Sequence, residues 1–103
     1  MLNLILLGMG EDGHVASLFP AEATEMESDP AVYRPVIAPK PPPKRVTLGY
    51  AAIRVARQVW VWASGPGKEQ ALKASMQMRA ATPLARVLAS RMTTRIFTDI
   101  LRN

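Results

Sequence analysis

The sequence predicts an α/β fold: a layered parallel-sheet domain with flanking helices. Three observations predict it. Short apolar or β-branched runs alternate with amphipathic helical patterns, the order that builds parallel sheets. The first run, Leu2-Asn3-Leu4-Ile5-Leu6-Leu7, is polar only at Asn3, the composition of a strand buried on both faces. It ends in Gly8-Met9-Gly10-Glu11-Asp12-Gly13-His14, a glycine-rich loop holding two carboxylates and the only histidine of the chain. Parallel sheets bind their ligands outside the carboxyl ends of their strands, where this loop sits.

After His14 a brief helix over 14–19 is expected, stopped by Pro20. Residues 21–35 carry Glu22, Glu25, Glu27 and Asp29, close at Pro30 and Pro35, and read as a surface loop. Val36-Ile37-Ala38 reads as a short strand or an extended crossing. The low-complexity stretch Pro39-Lys40-Pro41-Pro42-Pro43-Lys44 reads as a stiff polyproline II connector, with a proline-motif ligand as the alternative. Residues 45–49 follow as a strand, and Tyr50 to Arg57 as a short helix with Ala52, Ile53 and Ala56 on one face.

Val59-Trp60-Val61-Trp62-Ala63 is the second strong strand, β-branched and aromatic throughout. Ser64-Gly65-Pro66-Gly67-Lys68 is a turn, and Glu69 to Met78 a helix with Leu72 and Met76 four apart. Thr82-Pro83 starts another helix, threonine as cap and proline as first helical residue, with Leu84, Val87 and Leu88 as its apolar stripe. Arg95 to Thr98 is a last strand.

Length and composition set the bounds. The chain has 103 residues, enough for one domain, and is 49% hydrophobic, too apolar for disorder. No segment is long enough to cross a bilayer, no signal-peptide pattern opens the chain, and cysteine is absent; a cytoplasmic protein is expected. Lys and Arg exceed Asp and Glu by 13 to 8, but the basic residues are scattered and not interleaved with aromatics. Nucleic acid is therefore not the expected partner. One histidine and no cysteine leave no metal-ligand cluster, so no metal is expected.

Gly8, Gly10 and Gly13 satisfy the spacing G-x-G-x-x-G of a dinucleotide site. Glu11 and Asp12 would repel a pyrophosphate there, and no second strand ends in an acid about 20 residues on. The spacing is set aside. Asp12 either caps the 14–19 helix or orients the imidazole two residues away. His14 is either a first-turn residue bonded to a carbonyl or a base, since imidazole is the side chain suited to taking a proton from water near neutral pH. Lys68, at a helix start after Gly65-Pro66-Gly67, opposes the helix dipole; it is a solvated lysine or part of an anion site. Trp60 and Trp62 share one strand face as core or interface, and the six methionines read as packing.

Residues 6–20, Leu-Leu-Gly-Met-Gly-Glu-Asp-Gly-His-Val-Ala-Ser-Leu-Phe-Pro, closely resemble the signature of the 6-phosphogluconolactonases. The likeness continues through Pro39 to Leu48, through Ser64 to Lys68 ahead of Ala71-Leu72, and through Pro83-Leu84-Ala85 and the final strand. The resemblance implies hydrolysis of 6-phosphoglucono-δ-lactone to 6-phosphogluconate, in the pentose phosphate pathway, without metal or cofactor. It implies that His14 is the catalytic base with Asp12 as its catalytic partner, that Gly10 and Gly13 of the same loop bind the substrate, and that Lys68 helps hold the anionic end of a phosphorylated sugar lactone. Family members are longer, and the likeness covers their C-terminal half. Residues 1–103 are thus expected to form one α/β domain, the C-terminal part of a larger one. Uncovered sheet edge would then favour a homo-oligomer, and the isolated chain would have impaired activity. Two alternatives stay open. The related glucosamine-6-phosphate isomerases and deaminases share the Asp-Gly-His core, but Phe19 stands where they carry a carboxylate. The other is a non-catalytic remnant acting as a binding or assembly partner.

Overall fold

In the computed structural model, which describes residues 1–20, 28–77 and 81–100, the first apolar run forms β1 (Leu4–Gly8). It pairs in parallel with β4 (Gln58–Ala63), and β4 in turn with β5 (Arg95–Thr98), giving the order β1-β4-β5. Between them lie α1 (Tyr50–Val55), α2 (Glu69–Ser75) and α3 (Pro83–Ser90). Alternation along the strands sends Ile5, Leu7, Val59 and Val61 to one side. There they share a core with Ile53 of α1, Leu72 of α2 and Leu84 and Val87 of α3. The parallel layered sheet with its helices is as the sequence predicts.

The strands are not covered on both faces. Leu4 and Leu6 of β1 are 43% and 66% exposed, and Trp62 of β4 is 59% exposed. All three helices pack on the Ile5–Leu7 side, and no described element covers the other. On that side the Trp62 ring stacks on Phe97 at 5.2 Å, and Trp60 meets Phe97 edge-on at 5.4 Å. The tryptophans therefore form an aromatic surface and are not core. Methionine packing holds for Met9, which is buried, but not for Met1, Met76 or Met92, which are exposed.

Two further expectations are corrected in the middle of the chain. Residues 33–37 belong to β2 (Tyr33–Ile37), which runs antiparallel to β3 (Lys44–Leu48) as a separate two-stranded sheet. The expected surface loop thus ends earlier; its acidic residues Glu22, Glu25 and Glu27 lie outside the described residues. The proline stretch is the hairpin loop between these strands and not a stiff connector. Prolines lack the N–H that a ladder needs, so they collect where the ladder stops. Ala38 N–H donates to Pro43 O at 2.6 Å across the loop, whose Pro41–Pro42 peptide is cis.

The helices follow their expected starts more closely than their ends. In α3, Thr82 Oγ1 accepts from Ala85 N–H at 3.1 Å, with Pro83 in the first turn. In α1, Ala52 and Ile53 are buried as expected, and so is Ala56 just beyond its end. Arg91 closes that end by donating from Nη1 to Ile53 O and Ala56 O at 2.7 and 2.9 Å. Helix α2 buries Leu72 but leaves Met76, just past its last residue, exposed; Met78 lies outside the described residues.

Candidate functional site

Because β1 and β4 run in parallel, the loops that follow them emerge at the same edge of the sheet. Met9 N–H donates to Trp62 O at 3.2 Å, and a Cβ on Gly67 would lie 2.7 Å from Glu11 Oε1. The Gly8–His14 loop and the Ser64–Lys68 turn are thus in contact. Gly65 N–H reaches Asp99 Oδ1 at 3.4 Å, which brings in the segment after β5.

The 14–19 stretch is not a helix. Val15 bridges to both Met9 and Leu18, Ala16 takes φ 51, and Val15, Leu18 and Phe19 are buried. Burial of three apolar side chains within five residues, just ahead of Pro20, folds the chain back on itself. Ser17 N–H donates to the buried Thr47 Oγ1 at 3.0 Å, and Phe19 packs with Val36 and Ala38, so the β2–β3 hairpin holds this segment from outside.

With no helix to cap, Asp12 turns to the histidine. Its Oδ1 accepts from His14 N–H at 3.1 Å and lies 2.6 Å from His14 Nδ1. An ionised carboxylate only accepts, so Nδ1 is the donor to it, and in the neutral imidazole that tautomer leaves the lone pair on Nε2. Partial burial works to raise the Asp12 carboxyl. The hydrogen bonds from the His14 ring and backbone, with the charges of His14 and Lys40, outweigh it and hold the carboxyl below its ordinary value. The imidazole is about one-fifth exposed.

Gly10 has no side chain because the imidazole occupies the place of one: a Cβ there would lie 2.0 Å from His14 Cε1. Gly13, at φ 84, faces Thr82 in the same way, its Cβ position 2.8 Å from Thr82 Cβ. Gly10 N–H is spent on His14 O and Gly13 N–H on Gly10 O, while Gly13 O accepts from Leu84 N–H. Gly10 therefore seats the histidine, and Gly13 docks the loop on α3. Lys68 stands half-buried on the adjoining turn, as the last residue of a short 3-10 segment before α2.

Two residues, Lys40 and Arg45, escaped the sequence reading, and both meet Phe19. The Phe19 ring lies 4.7 Å from the His14 ring. Over the same Phe19 ring sit Arg45 Cζ at 5.5 Å and Lys40 Nζ at 5.9 Å. The only available signal was a pair of cations flanking prolines, which composition alone assigns to solvent.

The fold and the loop together define an α/β protein that presents an imidazole–carboxylate pair at the carboxyl edge of a parallel sheet. The glucosamine-6-phosphate isomerase/6-phosphogluconolactonase family profile matches residues 1–96, and the chain belongs to that family. It is 48% identical over 71 residues to the 6-phosphogluconolactonase of Mycobacterium tuberculosis, a match covering 69% of this chain and 29% of that protein. The human 6-phosphogluconolactonase is 39% identical over 88 residues, covering 85% and 34%. The structure of 6-phosphogluconolactonase from Trypanosoma brucei superposes with TM-score 0.78 at 35% identity, covering 94% of this chain and 39% of that one. A monomeric glucosamine-6-phosphate deaminase shares the fold, with TM-score 0.75 at 19% identity. The chain spans about a third of the length of the relatives it matches.

Proposed function

We propose that this chain carries the histidine centre of a 6-phosphogluconolactonase and hydrolyses a phosphorylated sugar lactone. The observation that carries the reading is the 2.6 Å contact between His14 Nδ1 and Asp12 Oδ1, with the ring seated in the hollow left by Gly10. A general base needs one nitrogen free and the ring fixed, and the carboxylate supplies both by holding the tautomer and the orientation. Nε2 takes a proton as the water oxygen bonds to the lactone carbonyl carbon, and the negative charge moves to the carbonyl oxygen. When the carbonyl re-forms, the ring C–O bond breaks and the proton passes from Nε2 to the departing oxygen. The product is an open-chain acid, which then ionises. Lys68, on the adjoining turn, would hold the phosphate end.

Phe19 favours a lactonase over an isomerase. At its position an apolar ring faces the imidazole at 4.7 Å, where an isomerase would need a proton-carrying carboxylate. The test uses the purified 103-residue chain with freshly generated 6-phosphoglucono-δ-lactone, followed by acid release. Wild type is expected to exceed the spontaneous rate, and His14→Ala to lose about 10²–10⁴-fold, the worth of a positioned base. A folded wild type that leaves the spontaneous rate unchanged would overturn the reading in favour of a binding or assembly role.

A further inference from the structure

The β2–β3 hairpin brings two cations to the histidine site, Lys40 and Arg45. Lys40 is exposed, at the tip of the proline loop, yet its ammonium lies over the Phe19 ring that adjoins His14. It is also among the charges acting on the Asp12 carboxyl. Arg45 explains how the loop is held. Its Nε donates to Pro42 O at 2.8 Å and its Nη2 to Pro41 O at 3.0 Å and Lys40 O at 3.3 Å. The same guanidinium lies over Phe19. One side chain thus ties three consecutive loop carbonyls to the ring that packs on the histidine. A planar fork of fixed donors can do this, whereas a single ammonium cannot.

Lactone hydrolysis creates charge at the reacting carbon, first on the carbonyl oxygen and then as the product carboxylate. A cation beside the general base is worth most where that charge forms. We infer that Lys40 contacts the oxygen that becomes negative at the reacting carbon, and that Arg45 is the positioning residue that holds Lys40 there. This rests on the lactonase reading. It adds a second anion contact, at the opposite end of the substrate from the phosphate assigned to Lys68.

The test compares two ligands on the 103-residue chain: 6-phosphogluconate, which has the carboxylate, and glucitol 6-phosphate, which lacks it. Binding is followed by the ring-proton signals of His14, the chain's one histidine. Wild type is expected to bind 6-phosphogluconate more tightly than glucitol 6-phosphate, and Lys40→Met to lose about tenfold in affinity for the first alone. Lys40→Arg restores most of it. Arg45→Met reproduces part of the loss, and adding it to Lys40→Met costs little more, because both changes remove one interaction. Lys40→Met is also expected to lower kcat for the lactone more than it raises KM. Equal loss for both ligands assigns Lys40 to the phosphate and overturns the inference, as does unchanged affinity for 6-phosphogluconate. A wild type that neither binds 6-phosphogluconate nor turns over lactone overturns the lactonase reading, and the inference falls with it.

Discussion

At the scale of single residues, the site depends on what Gly10 lacks. Its missing Cβ leaves the hollow in which the imidazole lies, and any added methyl would sit 2.0 Å from Cε1. Gly10→Ala is therefore expected to push His14 off Asp12. Turnover of the lactone should fall about as far as in His14→Ala, while the urea midpoint moves little, because the ring is partly exposed and can swing outward. Activity kept at the wild-type level would show that the seat does not matter. Asp12 gives a second test, through pH. Its folded-state carboxyl titrates below the ordinary value of 3.8, so the stability it adds is fully present above that value. That contribution is lost as pH falls through the lowered one. The gap in unfolding free energy between wild type and Asp12→Asn should close in strong acid, as pH falls through the lowered value. Since Asp12 is about a third exposed, the gap is small. A gap that persisted in strong acid would contradict the assignment.

Among the elements, α3 supports the loop, and Thr82 is the joint. Its hydroxyl accepts from Ala85 N–H, pairs with Ser75 Oγ at 2.6 Å, and its methyl side lies against Gly13. Thr82→Ala should cost about 1 kcal/mol as a lost cap, measured by urea unfolding, with Thr82→Ser retaining most of it. The cap was legible from Thr82-Pro83 because capping is local, settled within four residues. The 14–19 stretch was misread for the opposite reason. His14-Val15-Ala16-Ser17-Leu18-Phe19 has a helical look, yet long-range burial of Val15, Leu18 and Phe19 and the bond to Thr47, thirty residues on, decide its path. Asp12, expected to cap that helix or orient the ring, is left with the ring. The proline loop was legible as stiff but not as a carrier of charge. Only the hairpin pairing of β2 with β3 shows that Lys40 and Arg45 return to Phe19.

For the whole molecule, the telling feature is a sheet written for two covered faces and, among the described residues, covered on one. Leu4 and Leu6 are as apolar as Ile5 and Leu7, so periodicity could not distinguish the covered side from the open one. The helices settle it by packing together on the Ile5 side. The open side presents Leu4, Leu6, Trp62 and Phe97 as one apolar surface, next to the unpaired edge of β1. The isolated 103-residue chain is therefore expected to self-associate through this surface. Burying each leucine or phenylalanine contributes about 1.5–3 kcal/mol, set against the cost of association. Leu6→Lys, at the middle of β1, should shift sedimentation equilibrium toward monomer while leaving the urea midpoint within about 0.5 kcal/mol, since Leu6 is already solvated. Arg54→Glu, on the helical side, should leave association unchanged. A wild type that stays monomeric at 100-fold its working concentration, or equal association by Leu6→Lys, would show that the open face is tolerated by water and recruits no second copy.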